Sequence, residues 1–251
     1  MIYYKSQREV ELMRKAGKIV AETLELIRNS IRVDVTTAEL DRLANEYILS
    51  RNAEPAFLGY RGFPASICAS INEEVVHGIP GPRKLREGDI ISIDVGAIYE
   101  NYVGDAAATF PVGKISPVAE KLIYVTRTAL ETAVKNIRPE KRLLEISRII
   151  QDYVEKSGFS VVRQYVGHGI GTKMHEDPQV PNFVPPVNER KDVVLKRGIV
   201  LAIEPMVNEG AYDVEVTDNK WTVVTKDGKL SAHFENTIAV TENGCEILTR
   251  L

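Results

Sequence analysis

Apolar residues in the first fifty positions recur every three or four places: Val10, Met13, Gly17, Val20, Leu24 and Ile27, then Leu40, Leu43, Ala44, Tyr47 and Ile48. That period puts each set on one face of a helix. Ser6-Gln7-Arg8-Glu9 precedes the first set and Thr36-Thr37-Ala38-Glu39 the second. Both have the form of a capping box, in which hydroxyl and carboxylate satisfy free amides at a helix start. From about Ala65 the chain changes to short β-branched runs broken by Gly and Pro, ending near Pro111-Val112-Gly113, which predicts strands.

The order then repeats. Ser116-Pro117 provides an N-cap and first helical position ahead of Leu122, Val125, Ala129, Leu130 and Ala133. A further helix is predicted from about Leu143 to Lys156, stopping at Gly158. Strands are predicted at Val161–Val166, Ile199–Val207, Trp221–Thr225 and Phe234–Thr241. The two halves, 6–113 and 116–251, also echo one another in detail. Leu85-Arg86-Glu87-Gly88 leads to Ile93-Asp94 as Leu195-Lys196-Arg197-Gly198 leads to Ile203-Glu204, and His77-Gly78-Ile79 matches His168-Gly169-Ile170. No linker or low-complexity stretch separates the halves, so one α+β domain spanning 1–251 is expected.

Bulk properties narrow the function by exclusion. The 251 residues are 44% apolar and carry a net charge of −3, which gives no electrostatic reason for nonspecific nucleic-acid binding. Nothing in the N-terminal residues resembles a signal peptide, and no window is apolar enough for a membrane helix. Cys68 and Cys245 are the only cysteines, too few for a disulfide framework. A protein of the reducing cytoplasm is expected.

Several acids stand in unusual company. Asp94 ends the apolar run Ile90-Ile91-Ser92-Ile93, Asp105 lies in Val103-Gly104-Asp105-Ala106-Ala107-Ala108, and Glu204 follows Ile199–Ile203 and precedes Pro205. Burying a carboxylate is costly unless it is paired or metal-bound. A hairpin turning symmetrically at Tyr99-Glu100 would set Asp94 directly opposite Asp105, where a cation would turn repulsion into attraction. Glu235 alternates with Phe234 and Asn236 and so shares a face with His233 and Thr237. His168, in Gly167-His168-Gly169-Ile170-Gly171, adds an imidazole, which with carboxylates suits zinc, manganese, iron or cobalt. Four carboxylates neutralise two divalent ions, and paired ions of this kind serve hydrolysis.

These motifs resemble the type I methionine aminopeptidases over essentially the whole chain. The match runs from Ser70-Ile71-Asn72-Glu73 through His77-Gly78-Ile79-Pro80, Asp94, Gly104-Asp105, Gly167–Gly171, His175-Glu176, Ile203–Met206, Trp221-Thr222 and Glu235-Asn236-Thr237. The resemblance implies a pita-bread fold: two related αβ halves around a curved antiparallel sheet. It implies that Asp94 binds one ion, that His168 and Glu204 bind the other, and that Asp105 and Glu235 bridge both. Cobalt, manganese, iron(II), zinc or nickel could fill the site.

By the same resemblance, a bridging hydroxide would attack the carbonyl that follows an N-terminal methionine when the second residue is small. His77 and His175 would contact the substrate, and Glu204 would carry the proton. The methionine slot would be Phe57, Tyr60, Phe63, Cys68, Met174 and Trp221. Relatives often carry Cys, Tyr and Phe in place of Phe57, Phe63 and Met174. A monovalent cation near Asn72 and Ser231, nascent-chain N-termini as substrates, transient ribosome contact and a monomeric state are further implications. Xaa-Pro hydrolases share the ligand pattern but carry a large N-terminal domain, for which there is no room before Ile67.

Overall fold

The computed structural model describes residues 1–250. Among these residues the four α-helices are α1 (Gln7–Ser30), α2 (Thr37–Ser50), α3 (Pro117–Asn136) and α4 (Leu143–Lys156). Ser6 and Thr36 accept the amides of Glu9 and Glu39, whose carboxylates return the bond to the cap amides. Each such cap contributes about 1 kcal/mol. α1 turns Met13, Ala16, Gly17, Val20, Thr23 and Ile27 inward. It lies so close to the sheet that a Cβ on Gly104 would come within 2.7 Å of the Gly17 nitrogen.

The sheet beneath α1 and α2 centres on the strand Ile90–Tyr99, paired antiparallel with Ile67–Ile71 and Tyr102–Pro111. A second antiparallel sheet runs in the order Cys245–Ile247, Asn236–Val240, Val200–Ile203, Gly167–Gly169, Glu176–Val180. The two are sewn together beside the acids. The Glu235 amide donates to Ala107 O (2.8 Å), and the Asp105 amide to Thr237 Oγ1 (3.1 Å), whose hydroxyl donates back to Asp105 O (2.8 Å).

One apolar core joins Val20, Ile27, Leu40 and Ile48 to Ile91, Ile93 and Val95. Another joins Leu122, Ala129, Ile146 and Ile150 to Leu201 and Ile203. Each such buried side chain contributes roughly 1.5–3 kcal/mol. Both cores therefore hold the acid-bearing strands from outside. No helix among the described residues is long and apolar enough to cross a membrane.

Three expectations need correction. The long hairpin turns at Glu100-Asn101, one position later than predicted, because a two-residue primed turn needs two residues at positive φ. Glu100 (φ 46°) and Asn101 (φ 68°) supply them. Asp94 consequently faces Ala107, and Asp105 faces Gly96. The two acids are diagonal neighbours on one face, since a slip of two preserves side-chain parity.

The run Ile199–Val207 is not one strand. Pro205 has no amide to continue the ladder, so Val200–Ile203 stays in the second sheet while Met206–Asn208 joins Ser231–His233 and Ser160–Val161. Val161–Val166 likewise pairs only at its start. Beyond it, the Arg163 guanidinium lies over the Phe183 and Tyr212 rings at 5.7 and 4.0 Å from their centroids.

Candidate metal centre and its pocket

The five predicted ligands, drawn from both halves, meet where the sheets are joined. Ligand atoms of Asp105, His168 and Glu235 lie within 4.8 Å of one another, and so do those of Glu204, His233 and Glu235. His168 sits in a strand packed between two others. The glycines beside it serve that packing: a Cβ on Gly167 would meet Ala202 O at 2.4 Å and one on Gly169 would meet Asp177 O at 2.1 Å.

His168 Nδ1 lies 2.9 Å from Gly169 O. A carbonyl only accepts, so Nδ1 carries the proton and Nε2 presents a lone pair. That lone pair faces Glu204 Oε1 at 3.5 Å and Asp105 Oδ2 at 3.8 Å. Acceptors thus point at acceptors. Asp94 Oδ1, Asp105 Oδ1 and Glu235 Oε1 are also buried without a hydrogen-bond partner. Buried polar groups are rarely left unpaired, and only cations or added protons satisfy this arrangement. The donor set, carboxylate oxygens with one neutral imidazole, fits divalent transition ions.

The electrostatics state the same conflict. Burial first, and then the neighbouring carboxylates, push Asp105, Glu204 and Glu235 well above the usual carboxylate range. Burial also raises Asp94 to about 7, against the opposing influence of adjacent Asp105 and of the Val95 amide. His168 and His77 are pushed down to about 4, chiefly by burial, and are neutral imidazoles at neutral pH.

All thirteen predicted site residues line one cavity of about 280 Å³. Phe57, Phe63, Cys68 and Met174 are buried in its wall, and Trp221 stands edge-on to Phe63 at 5.2 Å. His175 is at the mouth, stacked on Tyr60 at 5.5 Å, with the Tyr60 hydroxyl 2.8 Å from its Nδ1. Its ring centroid is 4.3 Å from that of His168. His77, at φ 60°, stands edge-on to Tyr165. Burial and the nearby acids hold the Cys68 thiol well above its ordinary value, so it is no thiolate nucleophile.

Arg61 and Tyr165 also line the cavity, and His233 abuts the cluster from behind, its Nε2 3.7 Å from Glu204 Oε2. Sequence reasoning assigned none of the three a role. Only for His233 was there a signal, its expected alternation with Glu235, and the structure breaks that alternation at Phe234-Glu235, between the strands Ser231–His233 and Asn236–Val240 of different sheets. The loop carrying His175 is held by a buried ion pair, Lys5 Nζ to Glu176 Oε2 at 2.6 Å. Asn72 and Ser231 adjoin, the Ser231 amide donating to Asn72 O at 2.8 Å.

Comparison with known proteins identifies the family. Residues 11–242 match the model of metallopeptidase family M24. The methionine aminopeptidase of Clostridium acetobutylicum is 56% identical over 250 residues, 99% of each chain. The crystal structure of methionine aminopeptidase from Thermotoga maritima superposes over the whole of both chains with a TM-score of 0.97 at 48% identity. A prolidase from Pyrococcus horikoshii shares the fold alone, with a TM-score of 0.80 at 23% identity, this chain covering 63% of it. The architecture is the pita-bread fold, and the chain belongs to metallopeptidase family M24, as a hydrolase of its methionine aminopeptidase branch.

Proposed function

We propose that the chain removes the N-terminal methionine from nascent polypeptides whose second residue is small, using two divalent ions held by Asp94, Asp105, His168, Glu204 and Glu235. The observation that carries this is the convergence of His168 Nε2 and four carboxylates with no donor among them. Asp94 would hold one ion, His168 and Glu204 the other, and Asp105 and Glu235 both. Such a pair supplies Lewis acidity and a hydroxide nucleophile at neutral pH.

The remaining chemistry falls to side chains around the pocket. With the Tyr60 hydroxyl donating to Nδ1, His175 keeps its proton on Nε2 and can donate to the substrate's carbonyl oxygen as negative charge develops. Glu204, the remaining acid the family pattern assigns to proton transfer, would pass a proton to the departing amine. The slot formed by Phe57, Phe63, Cys68, Met174 and Trp221 is an apolar sleeve suited to a thioether. A cavity of about 280 Å³ that ends at these side chains has room for one residue before the scissile bond, which favours exopeptidase over endopeptidase action.

At the proposed monovalent-cation site Asn72 Oδ1 accepts the Ile90 amide and Ser231 Oγ donates to Asn208 Oδ1, which leaves lone pairs on both the Asn72 and the Ser231 oxygen for a cation. Action in the cytoplasm as a monomer, in transient contact with ribosomes, completes the proposal.

Metal-free protein supplied with Co(II), Mn(II) or Fe(II) should cleave Met-Ala-Ser and leave Ala-Pro-Gly intact. Absence of Met-Ala-Ser cleavage with every metal would refute the proposal. His175→Ala should lower kcat by about 10²–10³-fold with metal content unchanged. Loss of metal in that variant would show that His175 belongs to the ligand set instead.

A further inference from the structure

His233 is 1% exposed, and its backbone is fixed on both sides. Its amide donates to Thr109 Oγ1 (2.8 Å), the Thr109 hydroxyl donates to its carbonyl (2.9 Å), and its strand pairs with Met206. Its Nε2 is buried without a hydrogen-bond partner. The carboxylate oxygen it faces is Glu204 Oε2, at 3.7 Å, a few tenths of an ångström beyond hydrogen-bond distance.

Glu204 is therefore straddled by two imidazoles with different offers. His168, committed through Nδ1 to Gly169 O, can present only a lone pair to Glu204 Oε1. His233 carries no such constraint and can place its proton on Nε2, toward Oε2. The main chain of Glu204 is itself anchored by Asn182 Nδ2 on its carbonyl (3.0 Å) and by Pro205 after it, so only the side-chain torsions remain to be set.

We propose that His233 is a positioning residue: its Nε2–H donates to Glu204 Oε2 and thereby turns Oε1 toward the ion beside His168. The inference rests on the reading that Glu204 holds an ion. Carboxylates that ligate metals are generally themselves hydrogen-bonded by a partner outside the ligand set, and removing that partner weakens metal binding. A small rotation of the Glu204 side chain closes the 3.7 Å gap without disturbing either strand. The same rotation separates the two carboxylate oxygens by role, one for the ion and one for the histidine.

The test compares His233→Gln, which keeps an N–H donor, with His233→Leu and His233→Met, which fill the volume without one. Co(II) affinity is measured by anaerobic titration of each metal-free protein, alongside its melting temperature and the visible spectrum of the Co(II) form. The Leu and Met variants should bind Co(II) about 10–100-fold more weakly with the metal-free melting temperature undiminished, while the Gln variant stays within about threefold of wild type. Either donor-free variant suffices if the other fails to fold.

Wild-type affinity in the Leu or Met variant overturns the proposal. So does a Gln variant as weak as these, because donation would then not be the property that matters. A changed Co(II) spectrum in the Gln variant would make His233 a ligand and overturn the positioning role. Failure of the wild-type protein itself to bind Co(II) would instead remove the reading on which the inference rests.

Discussion

Replacing Glu235 by Gln should abolish metal-dependent cleavage while making the metal-free protein harder to unfold. Glu235 is 3% exposed, its Oε1 has no partner, and its pKa is raised first by burial and then by Glu204 and Asp94. Its charge is thus an uncompensated cost of the metal-free fold. Removing one partner of a buried ion pair is destabilising, whereas removing one of several crowded like charges has the opposite sign.

With metal the balance should invert, because an amide is a poorer ligand for divalent ions than a carboxylate. The loss in kcat/KM for Met-Ala-Ser should be at least about 10³-fold, about 4 kcal/mol of transition-state stabilisation. The metal-free melting temperature should rise by several degrees, on the scale of about 2–4 °C per kcal/mol. Steady-state kinetics with metal analysis, and thermal melts of the chelated protein, check both. A metal-free variant less stable than wild type would show that Glu235 is a packing residue first.

The metal-free protein should also lose stability as pH rises above about 6.5, and saturating metal should reverse that slope. A carboxyl whose pKa is higher when folded binds more protons folded than unfolded, so the free energy of unfolding falls as pH climbs between the two values. For Asp94 these are 3.8 and about 7. Asp105, Glu204 and Glu235 are displaced in the same direction.

The buried histidines oppose this over part of the range. His77 and His168 at about 4 and His233 at about 3, against 6.5 unfolded, contribute stability that grows as pH rises to 6.5 and then stays constant. Below 6.5 the two effects offset each other, and above it the carboxylates act alone. Between pH 6.5 and 8 the metal-free protein should therefore lose stability as the displaced carboxyls give up their protons, Asp94 at about 7. Because ions require the deprotonated ligands, metal-loaded protein should gain stability over the same interval. Thermal melts with chelator and with Mn(II), at half-unit steps, check both slopes. A metal-free stability that rises from pH 6.5 to 8 would mean that the carboxylates are solvated.

The sequence was informative wherever a local rule had a local cause. Ser6 with Glu9 and Thr36 with Glu39 marked helix starts because cap and amide are three residues apart. Asp94 and Glu204 stood out because an acid ending an apolar strand needs a reason beyond solvation. Parity placed Asp94 and Asp105 on one face, but their register depended on the backbone of Glu100 and Asn101, neither of which announces a primed turn as Asn-Gly would.

What could not be read was convergence. Thr237 clamps Asp105 across 132 residues of chain, and Lys5 reaches Glu176 across 171. No periodicity encodes such meetings. His233 belongs to this class as well, since nothing local says that its imidazole stops opposite Glu204.

On the proposed function these five side chains hold two ions. Anaerobic titration of the chelated protein with Mn(II), followed by calorimetry and by the electron paramagnetic resonance of the bound metal, tests it most directly. Two Mn(II) per chain with a spin-coupled signal at saturation is the predicted result. Saturation at one ion per chain, with full cleavage of Met-Ala-Ser, would contradict it.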